Sequence, residues 1–149
     1  MRKSDLKAIL EQDEISYESI FAEDPEVLAP LVRELAKSED EKIASGAAYI
    51  SAAIAKGAEG LASELVSDRR ESVRVAVAGG LALNSSAITP TISTLLEDDD
   101  VGVIRFAMRA SARILGDPFI RARIVRISND QSLPQALRTE ADKLLSNAP

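Results

Sequence analysis

Apolar side chains recur along the chain at spacings of three and four residues, which is the period of one face of an α-helix. In the middle of the chain the same apolar pattern occurs twice. The stretch 65–77 reappears, shifted by 31 positions, as 96–108. In both copies an Asp precedes an Arg by six residues, and the Arg follows a β-branched residue. Self-similarity at this period predicts a solenoid in which each unit is a pair of helices.

Each unit is predicted to hold a short first helix, an acidic turn and a longer second helix. Leu61 and Leu65 lie four residues apart, on one face of a first helix. The turn around Asp68 is expected to cap the second helix, because an Asp side chain accepts hydrogen bonds from the free N–H groups at a helix start. Glycine within a helix is costly, so we expect Gly79 and Gly80 to allow a close approach between helices.

The outer parts of the chain extend this pattern to about four helix pairs. Residues 1–23 are predicted to form a short helical N-terminal cap. An Asp or Thr followed by Pro marks three helix starts, since Pro is harmless at the first helical position. No linker or low-complexity segment divides the sequence, so we expect a single domain over 1–149. Its predicted repeats are 24–57, 58–86, 87–116 and 117–149.

The Asp-to-Arg spacing, with its apolar-Arg-x-x-Ala run and the Pro that opens a first helix, resembles that of HEAT-repeat proteins. In that family the turn Asp and the second-helix Arg form a ladder of hydrogen bonds between adjacent repeats. The resemblance implies an all-α, right-handed α-solenoid. It also implies structural ladder pairs of Asp68 with Arg74 and of Asp99 with Arg105, in the bidentate geometry that Arg and carboxylates favour. In the outer repeats a Ser stands at the Asp position, namely Ser38 and Ser132.

Composition narrows the class of protein. The 149 residues include two Tyr, three Phe and no Trp, so small aliphatic side chains must form most of the core, as suits thin stacked helices. The chain has no Cys and hence no disulfide, which fits a reducing compartment. Neither an apolar run long enough to span a membrane nor a signal peptide is present. We therefore expect a cytoplasmic monomer without a membrane partner.

No recognisable catalytic or metal-binding motif occurs in the sequence. Without His or Cys, the commonest general base, the thiol nucleophile and the soft metal ligands are missing. The acidic run 97–100 lacks the Gly and the distal Glu of a calcium loop, so a helix-capping turn is the better interpretation. We expect no enzyme activity, no cofactor and no metal.

The second helix of the third repeat carries the strongest candidate for a binding surface. Arg105, Arg109 and Arg113 are spaced four residues apart, close to Phe106. Second helices line the concave face of HEAT-like proteins, and Arg and aromatic residues are enriched where interfaces carry energy. The plain alternative is that Arg109 and Arg113 only solvate an exposed helix. The predicted partner-binding residues are Val75, Ala78, Phe106, Arg109, Arg113, Thr139 and Asp142.

Charge is divided unevenly along the chain, whose net charge is −6. The segment 1–42 holds twelve acidic and six basic residues, whereas 101–126 holds six Arg and one Asp. A cationic partner would prefer the acidic end, and an acidic partner the arginines. We refer to the following residues as the acidic flank: Glu11, Asp13, Glu14, Glu18, Glu23 and Asp24.

These features predict a non-catalytic protein-binding module. A small acidic binder of this kind fits a bacterial immunity or antitoxin protein that blocks a cationic toxin, or an adaptor. The alternative is phosphate or nucleic-acid binding through the arginine-rich patch Arg105–Arg126, because phosphate recognition uses such clusters. The negative net charge and the scarcity of aromatic residues for base stacking argue against nucleic acid.

Overall fold

The computed structural model describes residues 1–54, 58, 60–84 and 89–147. Within these ranges the chain is all-helical, with ten α-helices, one 3₁₀ turn and no strand, which confirms the all-α prediction. The predicted repeat boundaries at 57 and at 86–87 lie outside the described residues. The helices are α1 (Lys3–Leu10), α2 (Tyr17–Phe21), α3 (Pro25–Leu35), α4 (Glu41–Ile54), α5 (Leu61–Leu65), α6 (Glu71–Leu81), α7 (Thr89–Leu95), α8 (Val101–Ser111), α9 (Pro118–Asn129) and α10 (Gln135–Ser146), and the 3₁₀ turn is Ala112–Ile114.

Local capping chemistry explains two of the predicted helix starts. Asp24 caps α3, where its carboxylate accepts a hydrogen bond of 2.9 Å from the N–H two residues later. Asp117 caps α9 with the same geometry. Both helices begin with Pro, which has no N–H to leave unpaired. At the third predicted start, α7 begins at Thr89 itself and Pro90 is its second residue.

The longer helices are neighbours in chain order. α4 packs along α6, α6 packs along α8, and α10 lies against both α8 and α9. The shorter helices pack on these, α3 on α4, α5 on α4 and α6, and α7 on α8. α1 packs on α3 and α4, where it buries Leu6 and Leu10. The N-terminal segment therefore covers the first of the long helices.

Buried positions recur every 30 residues along the long helices. α4, α6 and α8 begin at 41, 71 and 101. Val73 and Val77 of α6 therefore occupy the positions of Val103 and Ala107 in α8, and all four are fully buried. The predicted shift of 31 residues is wrong by one. One residue corresponds to a rotation of about 100° around a helix axis, so the predicted directions of the α8 side chains were wrong as well.

Gly80 permits the close approach of α4 and α6. A Cβ at this position would lie 2.8 Å from the Cβ of Ala52 and would collide with the carbonyl oxygen of Tyr49. Neither group is the flexible end of a side chain, so any larger residue would have to push the helices apart. At Gly79 an added Cβ would meet the rings of Tyr49 and Phe106 at 3.6 and 3.8 Å, which is ordinary contact. The expected close approach is therefore confirmed at Gly80 alone.

Candidate functional site

Both Tyr and two of the three Phe of the chain meet on one surface, although they come from three helices. Tyr17 and Phe21 lie one turn apart on α2, with ring centroids 6.0 Å apart. The Tyr49 ring on α4 lies 4.7 Å from the Tyr17 ring and 6.3 Å from the Phe21 ring. Phe106 of α8 approaches Tyr49 across Gly79, within reach of a Cβ added there. We refer to these four side chains as the aromatic strip.

The rings of the aromatic strip are neither core residues nor isolated surface residues. Phe21 is 37% exposed, and Tyr17, Tyr49 and Phe106 are half-buried. Burial raises the pKa of Tyr17, with a smaller contribution from Tyr49, and burial also raises the pKa of Tyr49. Both hydroxyls therefore stay protonated at neutral pH and can donate hydrogen bonds. An apolar ring with a polar tip is well suited to an interface, where one side is dry and the other wet.

A shallow cavity of about 230 Å³ opens beside the strip, between α2, α4 and α6. Its lining includes Tyr17, Tyr49, Val75 and Ala76, with Lys42 among the polar lining residues. Pockets for cofactors and drug-sized ligands begin at about 300 Å³. The cavity therefore suits a single large side chain better than a cofactor.

Arg109 extends the strip at its α8 end. Its guanidinium carbon lies 5.0 Å from the centre of the Phe106 ring, which is within the range of a cation–π contact. The rest of the side chain is exposed to solvent. Arg113 lies on the 3₁₀ turn, because α8 ends at Ser111. The predicted line of three arginines along one helix is therefore interrupted after Arg109.

Arg105 faces α10, not the turn before its own helix. Its Nε lies 3.1 Å from Oε1 of Glu140, although the N–H does not point at that oxygen and makes no hydrogen bond. Asp99, the predicted partner, is exposed. The predicted pair of Asp99 with Arg105 is therefore wrong, because in the 30-residue register Arg105 stands at the position of Val75, a quarter turn away from that of Arg74.

The other predicted ladder pair is replaced by an interlocked set of contacts. The Asp68 carboxylate pairs with Arg70, through Nε–Oδ1 at 3.0 Å and Nη2–Oδ2 at 2.9 Å. Arg74 donates to the backbone carbonyl of Asp68 at 2.8 Å and to the carboxylate of Asp98 at 2.8 and 3.2 Å. Arg70 also donates to the carbonyl of Ser38 at 2.7 Å. Arginines thus connect adjacent turns, but with partners that differ from those predicted.

The turns before the long helices share one hydrogen-bonded geometry. In each, a side-chain oxygen accepts a hydrogen bond from the N–H two residues later, at 2.9 to 3.2 Å. Asp98 rather than Asp99 is therefore the counterpart of Asp68. The cap of α8 is Asp100, which accepts from the Val103 N–H at 2.9 Å. The four accepting residues are Ser38, Asp68, Asp98 and Asp130.

The remaining predicted partner-binding residues are placed differently from one another. Val75 is half-buried and lines the cavity beside Tyr49. Ala78 is fully buried, so its predicted contact with a partner is wrong: the side chain packs between helices, at the position of Met108 in α8. Thr139 and Asp142 are exposed on α10. In the described part of the chain no contact joins these two α10 residues to the aromatic strip.

Carboxylates oppose part of the arginine-rich patch. Arg123 forms an ion pair with Glu97, and Arg126 lies 3.5 Å from the same carboxylate. With the pair of Arg105 and Glu140, three of the six arginines between 101 and 126 face an acid. The positive charge that this patch offers to a phosphate is correspondingly reduced.

Sequence reasoning identified Phe106 and Arg109 but missed the other three rings of the strip. The missed signal was the register: at 30-residue spacing, Tyr49, Gly79 and Arg109 occupy equivalent positions on α4, α6 and α8. A ring, a bare backbone and a cation in one row leave space on the middle helix for the ring of Phe106. A register shifted by one residue hides this row.

Two kinds of site are not found among the residues that the structure describes. No group of three acidic or other metal-ligating side chains is placed to hold a metal ion. No helix there is both long and apolar enough to cross a bilayer. Comparison with protein-family models, curated proteins and solved structures gives no match to the chain. The candidate function therefore has to be argued from the surface itself.

Proposed function

We propose that this chain is a non-catalytic protein-binding module, built as a HEAT-like, right-handed α-solenoid of about four helix pairs. Three observations support the architecture. The helices α4, α6 and α8 pack in chain order, their buried positions repeat every 30 residues, and arginines connect neighbouring turns. In such an array the second helices form one continuous surface, and this is the surface that carries the aromatic strip.

The aromatic strip is the observation that carries the binding proposal. A chain with only two Tyr and three Phe has few large apolar groups for its core. Four of these five rings nevertheless remain half-buried or exposed, side by side. A contiguous apolar surface with a polar rim is typical of a protein interaction site. Clustered aromatic residues with an adjacent Arg are also the side chains that most often dominate binding energy.

The most concrete form of the proposal is a cytoplasmic immunity- or antitoxin-type inhibitor, and the plainer form is an adaptor. The acidic flank supports a partner with a cationic surface, because Glu14 and Glu18 are exposed on either side of Tyr17 in the sequence. Focused negative charge of this kind speeds the encounter with a basic protein at low salt. The nucleic-acid alternative has less support, since half of the arginines in its patch face carboxylates.

Affinity capture with matched variants tests the proposal. Wild-type protein, the double variant Tyr49→Ala with Phe106→Ala, and Phe119→Ala are immobilised and exposed to lysate from the source cells. Phe119 is a suitable control because it is 74% exposed but lies on α9, outside the strip. We expect a protein that is retained by the wild type and the control and lost with the double variant, as measured by quantitative mass spectrometry.

Two outcomes would contradict the proposal. In the first, every retained protein is bound equally by the double variant, although circular dichroism shows that the variant is folded. In the second, the protein binds duplex DNA in a salt-dependent manner, and reversal of Arg109 and Arg113 to Glu abolishes that binding. The second result would favour the nucleic-acid alternative.

A further inference from the structure

The two ends of the aromatic strip carry opposite charge. At the α2 end, Glu14 and Glu18 are exposed, and neither has an ion-pair partner among the described residues. The nearby Lys42 is already engaged, since it donates to the carbonyl of Glu11 at 3.0 Å and lies 3.3 Å from Asp13. The α2 end therefore offers uncompensated negative charge.

At the α8 end the charge is positive. Arg109 lies over the Phe106 ring, and Arg113 follows one turn later. Both are exposed, and within the described ranges no carboxylate pairs with either. Contact with the ring restricts the guanidinium of Arg109 but leaves its N–H groups available at the edges. A carboxylate approaching this end would meet a partly ordered donor fork.

Between the ends, the cavity of about 230 Å³ offers a place for one apolar side chain. Its lining combines the Tyr17 and Tyr49 rings with Val75 and Ala76, which belong to α6. A side chain bound there would contact α2, α4 and α6 at once. The backbone that carries it would then have the acidic end of the strip on one side and Arg109 on the other.

We infer that the strip binds a peptide segment of a partner protein with a defined order of side chains: a basic residue over α2, an apolar anchor in the cavity and an acidic residue at Arg109. This inference rests on the proposed function, because it specifies what the same surface binds. The order follows from charge complementarity at the two ends and from the position of the cavity between them. It also fixes the direction in which the segment lies.

Selection from a random peptide library displayed on phage tests the order directly. Peptides are selected on the full wild-type chain and counter-selected on the folded double variant Tyr49→Ala with Phe106→Ala. The enriched peptides should share an apolar or aromatic anchor with Lys or Arg on one side and Asp or Glu on the other. Their dissociation constants are then measured by fluorescence anisotropy with synthetic peptides.

A charge swap gives the decisive comparison. Arg109→Glu should weaken the enriched peptides at least about tenfold, which corresponds to about 1.4 kcal/mol, and replacing the peptide's acidic residue by Lys should restore binding. Arg121→Glu, an exposed arginine on α9 outside the strip, should leave affinity unchanged.

Failure of the inference and failure of the proposed function are distinguishable. Strip-dependent peptides without an ordered charge pattern, or indifferent to Arg109→Glu, would overturn the inference and leave a protein-binding surface. A library that yields no strip-dependent peptide would count against both.

Discussion

α6 and α8 bury the same positions, 30 residues apart, yet they differ at almost every half-buried position. Arg74 of α6 bridges two turns, whereas the equivalent Ile104 is buried in the core. Val75 lines the cavity, whereas the equivalent Arg105 lies against α10. The comparison teaches that the fully buried positions define the stacking of the helices. The half-buried positions can then differ between units, and the candidate site consists of such positions.

The largest expected effect distinguishes the two faces of α6. Gly80→Ala should reduce the free energy of unfolding by about 3 kcal/mol, because the new methyl would collide with the α4 backbone. The equivalent position in α8 is already Ala110, so the α6–α8 spacing accepts a methyl that the α4–α6 spacing does not. Gly79→Ala is the matched control, and it should be neutral or slightly stabilising, since Ala favours the helix. Urea denaturation of both variants measures the difference, and equal midpoints would contradict the close-approach account.

The next effect concerns the arginines that the sequence aligned with each other. Arg74→Ala should cost about 2 kcal/mol, because it leaves the Asp98 carboxylate, only 9% exposed, without its bidentate partner. Arg105→Ala should cost less than about 1 kcal/mol, because Arg105 and Glu140 are 34% and 42% exposed and solvent screens their attraction. Thermal unfolding followed by circular dichroism tests the ranking. If the two variants were equally stable, the arginines would have equivalent roles after all.

A third prediction uses pH to isolate the pair of Asp68 and Arg70. Hydrogen bonds from Arg70 lower the pKa of Asp68 below its ordinary value. The ionised carboxylate therefore stabilises the fold at pH values above its unfolded pKa of about 4, and this contribution is lost as the pH falls through the lower, folded pKa. Asp68→Asn should cost about 1.5 kcal/mol at neutral pH. The difference from wild type should shrink as the pH falls below about 4, and a constant difference from pH 7 to pH 2 would contradict the pairing.

Local features of the fold were predictable from the sequence, and long-range ones were not. Asp24 and Asp117 mark their helices because a cap acts on N–H groups only two or three residues away. The register between units was missed because Arg74 and Arg105 are the same residue type in different environments. The aromatic strip was missed because Tyr17 and Tyr49 come together only through packing of α2 on α4. A pattern within one helix holds no information about that contact.

The smallest effect tests the register at a single turn. Asp100 caps α8 through the Val103 N–H, so Asp100→Ala should cost about 1 kcal/mol, the usual value of an N-cap. The adjacent Asp99 is exposed, and among the described residues its carboxylate has no hydrogen-bond or ion-pair partner. Asp99→Ala should therefore change stability by less than about 0.5 kcal/mol. The 31-residue alignment gives Asp99 the ladder role of Asp68 and so requires the opposite order. Urea denaturation of the two neighbouring variants decides between the registers, because both remove one carboxylate from the same acidic turn and change the net charge equally.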